Sequence, residues 1–436
     1  MKLTGWPRRQ WLIRLAAVGL VICALFLGGK AKKPQSTVAP NADAAESAVR
    51  AVAAGVSGSG VSTFLLLGVD SDGLGRASRT DVIVVVFVHY ATNSVSLVSI
   101  PRDLYVDIPG WQMQRINTAF PHGSVVSDGG GFTLLRETLK LNLGLDVERY
   151  ALVDFAGFEQ IIDAVGGIEL AVDCVVEDWR LRGSGLDSSV PDNWELITLR
   201  PGIHHMDGKT ALWYVRSRRS GGDLDRGRRQ HDVLRAIWQR AQSVGLLERM
   251  PELWQQITSV VETNFTLPDI IALLPVALNY APERIESYTL RVNREVTQWR
   301  SPAGASVLLP VPEAVARVIQ QASTPVTRSR LNGARMLVEI VNATGSSNRL
   351  DQLAAHRLAR DGFQAHVVAQ EMPEQTETVI LDFTGHRKSG ALQSLQRALG
   401  VPDSGVMRQP TGERAHDFRV ILGSSYNPCN PDHRSD

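Results

Sequence analysis

The segment Val82-Ile-Val-Val-Val-Phe-Val88 constrains this chain most. Its seven residues are apolar without a break, and all but Phe87 are β-branched. A strand with one face in water alternates apolar and polar residues, so an unbroken apolar strand has to be covered on both faces. Phe64 to Val69 and Val95 to Ile100 have the same character. Beyond them, Tyr150 to Phe155 reads as a strand, Gly157 to Ala164 as a short helix and Gly167 to Val172 as a strand. This alternation predicts an α/β fold, an α/β/α sandwich around a central sheet.

A chain of 436 residues exceeds what one hydrophobic core usually serves, which predicts two folded domains plus extras. The first is expected over 61–295, with helices over 223–243 and 246–280, the second broken at Pro251 and Pro268, and a returning strand from Ile285 to Leu290. Residues 296–334, with several Pro and Ser and a helical piece near Glu313 to Gln321, read as a linker. A smaller α/β domain is expected over 335–425. Its strands are Met336 to Val341, Ala365 to Ala369, Thr378 to Asp382 and Phe418 to Leu422. Its helices are Leu350 to Arg360, stopped by Gly362, and Gly390 to Leu399. Residues 426–436 form a tail.

Trp11 to Gly29 is apolar and follows Arg8 and Arg9. It is long for a signal-peptide core and no small-x-small cleavage site follows it, so residues 1–33 are expected to be a cytoplasmic tip and uncleaved transmembrane anchor. Arg14 can snorkel to the cytoplasmic face, whereas Lys30, Lys32 and Lys33 oppose that orientation. Residues 34–60, rich in Ala, Ser, Gly and Pro, read as a flexible tether to an extracytoplasmic body. Formal net charge is +1, from 46 basic and 45 acidic side chains, which argues against general nucleic-acid binding. Of three cysteines, Cys23 lies in the apolar run, and Cys174 and Cys429 are too far apart in sequence to be paired from it.

Arginines and aspartates cluster at the edges of the apolar strands. Asp70 ends one strand and Asp81 opens the next, bringing two carboxylates to one end of the sheet. The plainer reading is that they cap turns. Arg79, two residues from Asp81, points to the same side in an extended segment. Pro101 aims Arg102 and Asp103 away from the third strand. Arg216 and Arg218 are also two apart. Asp223, Arg226, Arg229 and Gln230 share one helix face, leaving Arg219 and Arg228 as solvated members. Hard carboxylate oxygens beside planar guanidinium forks suit a magnesium ion and a pyrophosphate, hence phosphoryl transfer. His204, His205 and His231 have no zinc-like spacing and read as satisfied loop or surface residues. No nucleophile elbow, Walker loop or dinucleotide fingerprint is present. The helical stretches Leu134 to Leu143 and Gly157 to Ala164 have apolar faces suited to core or to a lipid-tail pocket.

In order along 62–243, the motifs resemble the LytR-CpsA-Psr family of membrane-anchored cell-wall ligases. They are Leu-Gly-Val-Asp70, Arg79-Thr-Asp81, Ser-Ile-Pro-Arg102-Asp103, Arg115-Ile-Asn117-Thr-Ala119, Val165-Gly-Gly167, Asp207-Gly-Lys-Thr-Ala-Leu212, Tyr214-Val-Arg216-Ser-Arg218 and Asp223 to Gln230. Residues 335–425 look like the carboxy-terminal domain often appended to the family. The resemblance implies a mixed central sheet. It also implies transfer of a phosphoglycan from a polyprenyl-pyrophosphate carrier to peptidoglycan or a related wall acceptor at the membrane. By it, Asp70 and Asp81 hold Mg2+, with Mn2+ the alternative. Arg79, Arg102, Arg216, Arg218, Arg226, Arg229 and Gln230 bind the pyrophosphate. Asp103 or Asp223 orients an arginine or assists the acceptor hydroxyl, and no nucleic acid is expected as partner. Two departures stand out. Asp225 replaces a glycine common in the family, and Glu177 to Leu196 is an enlarged loop on the acceptor side. The rival readings are a polyprenyl-pyrophosphate hydrolase and a non-catalytic lipid-binding, wall-binding or regulatory module.

Overall fold

The computed structural model describes residues 60–69, 78–127, 129–183, 186–217, 223–246, 258, 260–278, 284–325, 336–346, 348–369, 372–385, 389–412 and 415–429, without the side chains of 223–226 and 389. The expected anchor and nearly all of the tether lie outside these residues. Among those described, no helix is long and apolar enough to cross a membrane.

In chain order the first domain begins with β1 (Val61–Val69), β2 (Thr80–His89) and β3 (Ser94–Ser99), followed by a small ribbon of β4 (Tyr105–Asp107) and β5 (Met113–Arg115). Helices α1 (Ala119–Val126) and α2 (Gly130–Leu143) lead to β6 (Arg149–Val153), α3 (Phe155–Ala164), β7 (Ile168–Val172), the hairpin β8 (Val176–Leu181) and β9 (Trp194–Leu199), and β10 (Gly202–Met206). Then come α4 (Gly208–Arg216), α5 (Asp223–Ser243), β11 (Glu262–Thr263), α6 (Leu267–Leu278) and β12 (Ile285–Thr289). The central sheet has the order β11-β6-β1-β2-β3-β12. β1–β2 and β2–β3 pair antiparallel, and β1–β6 and β3–β12 parallel, so the sheet is mixed.

Side-chain alternation explains why these strands lack polar residues. Phe64, Leu66, Val84 and Val86 face one core together with Ile161, Leu212, Trp238 and Ile270 of α3 to α6. Their neighbours Leu65, Leu67, Ile83 and Val85 face a second core with Phe120, Leu135 and Leu139 of α1 and α2. Both faces are dry, and the predicted sandwich results. Leu135, Leu139, Ile161 and Ile162, on the two helical stretches with apolar faces, all pack into these cores.

Two family-like motifs prove to be packing devices. Val165-Gly166-Gly167 ends α3. Gly167 has φ +83°, and a Cβ there would meet the His205 ring at 2.4 Å. Asp207 caps α4 by accepting from the Thr210 amide at 2.8 Å. A Cβ on Gly208 would meet the Glu159 carbonyl oxygen at 2.3 Å, so glycine is what lets α3 and α4 approach.

Residues 296–323 of the stretch read as a linker are structured. β13 (Val296–Arg300) and β14 (Ser306–Pro310) form a hairpin, and α7 (Pro312–Ser323) packs beneath the sheet. Val296, Val307, Val315 and Ala322 are buried. His89 Nε2 lies 2.9 Å from the Ala322 carbonyl, fixing the helix end. The prolines misled because they start the helix (Pro312) or end the hairpin (Pro310), so they sit at edges of elements. Likewise β11 interrupts the helix expected over 246–280, pairing Glu262 and Thr263 with β6, and Pro268 lies in the first turn of α6.

The second domain comprises β15 (Met336–Asn342), α8 (Leu350–Arg360), β16 (Phe363–Val368), β17 (Val379–Asp382), α9 (Ser389–Leu399), β18 (Val406–Arg408) and β19 (Phe418–Leu422). Its sheet runs β16-β15-β19-β17-β18 around a core of Val338, Ile340, Leu358, Leu395 and Phe418.

The two domains are joined beyond their connecting segment. Cys174 and Cys429 form a disulfide, a pairing that sequence left open. Arg360 of α8 donates to Asp173 at 2.5 Å and to Asp232 of α5 at 3.0 Å. Within the C-terminal part, Arg357 donates to the Pro428 carbonyl at 2.5 Å, holding the segment before Cys429 on α8. Thiol titration of the unfolded, unreduced chain is therefore expected to return one thiol, that of Cys23. Three thiols would contradict the pairing.

Candidate active site

Asp81 is the second residue of β2, at the sheet end where the β1–β2 register shifts between Gly68 and Val69. The backbone leaves β3 at Pro101, and Arg102 donates to Asp81 Oδ2. Asn117 Nδ2 donates to the other oxygen, Oδ1, at 3.2 Å. Arg102 Nε also lies 3.4 Å from Asp103 Oδ2, and Arg115 Nε lies 3.1 Å from Asp103 Oδ1. Backbone contacts fix this arrangement: the Asn117 amide donates to the Arg102 carbonyl at 3.3 Å, and Thr80 Oγ1 donates to the Asn117 carbonyl at 3.3 Å. Ser78, Arg79, Asp81, Arg102, Asp103, Arg115 and Asn117 line a pocket of about 400 Å³.

Four of the expected site residues, Arg79, Asp81, Arg102 and Asp103, thus come together. Asp70 and Arg218 lie outside the described residues. Asp223 and Arg226 are placed on the first turn of α5, with side chains outside the description. Gln230 lines a larger cleft that also reaches Asp81 and Arg102. Arg216, at the end of α4, stacks on the Phe155 ring at 4.0 Å.

Arg229 is buried. Its guanidinium donates to the Tyr214 carbonyl at 2.7 Å and the Ser217 carbonyl at 2.6 Å, holding the C-terminal end of α4. Those bonds give it a structural task. Arg228 is not simply solvated, because it reaches Asp173 at 3.0 Å.

Arg115 and Asn117 belong to the site although their spacing drew no functional assignment. The signal was available, since they are two apart on an extended-to-turn segment, as are Arg79 and Asp81. Asn117→Ala removes one of the two donors on Asp81. The expected result is a 10- to 100-fold loss of activity, with about 1 kcal/mol of stability lost, read by turnover and chemical denaturation.

His231 is a core residue, 2% exposed, with Nε2 2.8 Å from Ser99 Oγ. Burial, helped by Arg235, pushes it down to about 3, so it is neutral in the folded protein. Unfolded histidine protonates near pH ~6.5. Between those values the unfolded chain binds the extra proton, so stability is expected to fall as pH drops from 6.5 towards 3. His231→Gln should flatten that slope in denaturation curves measured between pH 4 and 7. His204 Nε2 pairs with the Arg200 carbonyl, and His205 Nδ1 with Glu169.

The enlarged loop is the β8–β9 hairpin. Its Asp178 Oδ2 accepts from Ser217 Oγ at 2.9 Å, tying the hairpin to the segment after α4. Trp179 and Leu196 sit opposite each other on its exposed face.

The pocket's donors suit a hard cation. Asp81 and Asp103 supply carboxylates, and the buried Asn117 Oδ1 has no hydrogen-bond partner. Among the described residues no group of three or more His, Cys, Asp or Glu side chains is poised to hold a metal by itself. An ion here would therefore also draw on water and substrate oxygens, as magnesium does at phosphates.

A mixed α/β/α sandwich with an arginine–carboxylate pocket at one sheet end defines the class of protein. The LytR_cpsA_psr family model matches residues 27–322, and the chain belongs to that family. The model described as LytR cell envelope-related transcriptional attenuator matches 335–426. Regulatory protein MsrR of Staphylococcus aureus (strain COL) is 34% identical over 215 residues, 49% of this chain and 59% of that protein. The polyisoprenyl-teichoic acid--peptidoglycan teichoic acid transferase TagU of Oceanobacillus iheyensis is 33% identical over 231 residues, 52% of this chain and 66% of that protein. The chain thus spans slightly under two thirds of the length of these relatives. The crystal structure of B. subtilis TagV covers 61% of this chain and 98% of its own, at 23% identity and a TM-score of 0.48.

Proposed function

We propose that this protein is a magnesium-dependent phosphotransferase. It moves a phosphoglycan from a polyprenyl-pyrophosphate carrier to peptidoglycan or a related wall acceptor, releasing polyprenyl phosphate. The observation that carries this reading is Asp81 held between Arg102 and Asn117 in a pocket that also contains Arg79 and Arg115. The activity in TagU's name supports the direction of transfer. The disulfide supports an oxidising, extracytoplasmic setting for the body, and residues 1–33 are proposed as its membrane anchor.

In this reading Arg79, Arg102 and Arg115 grip the pyrophosphate oxygens, Arg102 and Arg115 being oriented by Asp103. The acceptor hydroxyl oxygen bonds to the phosphorus nearest the glycan as the bond to the bridging oxygen breaks. Its proton passes to Asp103 or Asp223. Guanidinium charge meets the negative charge left on polyprenyl phosphate, so catalysis is mainly positioning and electrostatics. Asp81, with Asp70 as the expected second carboxylate, would hold the magnesium ion, which would supply further neutralisation of phosphate charge.

The test incubates the purified chain with a polyprenyl-pyrophosphate-linked oligosaccharide and peptidoglycan fragments. Magnesium-dependent attachment of glycan, lost in Asp81→Asn, is the expected result. Release of free glycan phosphate at the same rate without acceptor would make it a hydrolase, and lipid binding without turnover would make it a binding module.

A further inference from the structure

We propose that the cleft between the two domains binds an anionic oligosaccharide, a saccharide chain bearing phosphate or carboxylate groups, in continuity with the Asp81–Arg102 pocket. This extends the glycan-transfer reading and rests on it.

The cleft has a volume of about 1870 Å³ and runs from Asp81, Arg102 and Asp103 to Ser394 and Arg397 of the second domain. Pockets for single small ligands are typically ~300–1,000 Å³, so this space suits several sugar units. Nine arginines and six carboxylates line it, with no lysine. A chain of net charge +1 thus concentrates a positive excess along one groove. Arginine matches phosphate and carboxylate two oxygens at a time, which favours such groups over a diffuse polyanion.

Three guanidinium groups come from separate elements along the groove. Arg294, 57% exposed, lies in the turn before β13. Arg317 is exposed on α7, and Arg397 is exposed on α9, where it donates to Ser394 Oγ at 3.4 Å. Between them Gln230, Gln298 and Gln321 offer both donors and acceptors, which sugar hydroxyls require. The far wall is fixed by other contacts, since α8 is tied to Asp173 and Asp232 through Arg360 and Cys429 to Cys174 through the disulfide. That division of labour gives the appended domain a reason to be locked in place: it completes a binding groove.

The test uses the full chain with its disulfide intact and two soluble probes, a poly(glycerol phosphate) oligomer and a muropeptide-bearing peptidoglycan fragment. Arg317→Glu/Arg397→Glu is expected to weaken one of them tenfold or more, in a salt-dependent manner. Loss of the first probe identifies the donor glycan as the occupant, and loss of the second identifies the acceptor. Unchanged affinity for both, or no binding of either by the parent chain, overturns the proposal. Glycan-free polyprenyl pyrophosphate separates this from the function itself. Its binding should survive the double reversal and be lost in Arg102→Ala, whereas survival in Arg102→Ala would count against the active-site reading instead.

Discussion

Arg102→Ala is expected to lower kcat/KM for glycan transfer by about 10²–10³, the usual cost of removing one preorganised donor from a charge-stabilising site. Arg102 contacts Asp81 and lies within ion-pair range of Asp103, so its loss leaves both carboxylates less neutralised and, on the proposed function, removes a phosphate ligand. With fewer cations, two carboxylates in one pocket would repel the pyrophosphate that the proposed reaction brings there. Arg102→Lys should recover little, because an ammonium cannot bridge Asp81 and Asp103 or grip two oxygens in a plane. Steady-state kinetics on folded variants checks this. A change below fivefold would remove Arg102 from the active site.

Asp173→Ala carries the largest expected loss of stability, about 3–5 kcal/mol, because it strips a partner from a buried ion pair. Asp173 is 4% exposed at its side chain and faces Arg360, itself 20% exposed, and Arg228, 41% exposed. Burial raises its pKa, but the attraction of Arg360, Arg228 and Arg357 outweighs that and holds it below the usual carboxylate range. Arg360 is correspondingly pushed up by Asp173 and Asp232, against the opposing effect of burial. A depressed carboxylate contributes fully above its unfolded value of ~3.9, and its contribution is lost as pH falls through the folded value. The difference between parent and Asp173→Ala should therefore be constant from pH 5 to 7 and shrink below pH 4. Denaturant titration with the disulfide intact measures both effects. Arg228→Ala, removing a more exposed partner, should cost less. Equal losses for the two variants would argue that Asp173 acts through Arg228 alone.

The elements that could be read from sequence were those whose composition and burial coincide. β1, β2 and β3 lie close to where unbroken apolar runs placed them, and α8 spans Leu350 to Arg360 as its period and Gly362 predicted. The helix–hairpin piece over 296–323 was hidden because its prolines resemble linker punctuation until Val296, Val307 and Ala322 are seen to be buried. At the site, Arg79, Asp81, Arg102 and Asp103 were legible from short spacings at strand ends. Asn117 and Arg115 were less so, because their relevance depends on a backbone bond from Asn117 to Arg102. The structural task of Arg229 was hidden for a related reason: helix periodicity gives the face of a residue but not whether that face meets solvent or the carbonyls of Tyr214 and Ser217.

The sandwich, the smaller second domain and the family were readable along the chain, because side-chain period and motif order are local properties carried in it. It took the folded chain to show that Cys174 meets Cys429 across 255 residues, that Arg360 spans Asp173 and Asp232, and that Asn117 holds Asp81. Such pairings arise between segments distant in sequence. They depend on which surfaces are brought within a few ångströms when both cores close, a condition no local pattern encodes.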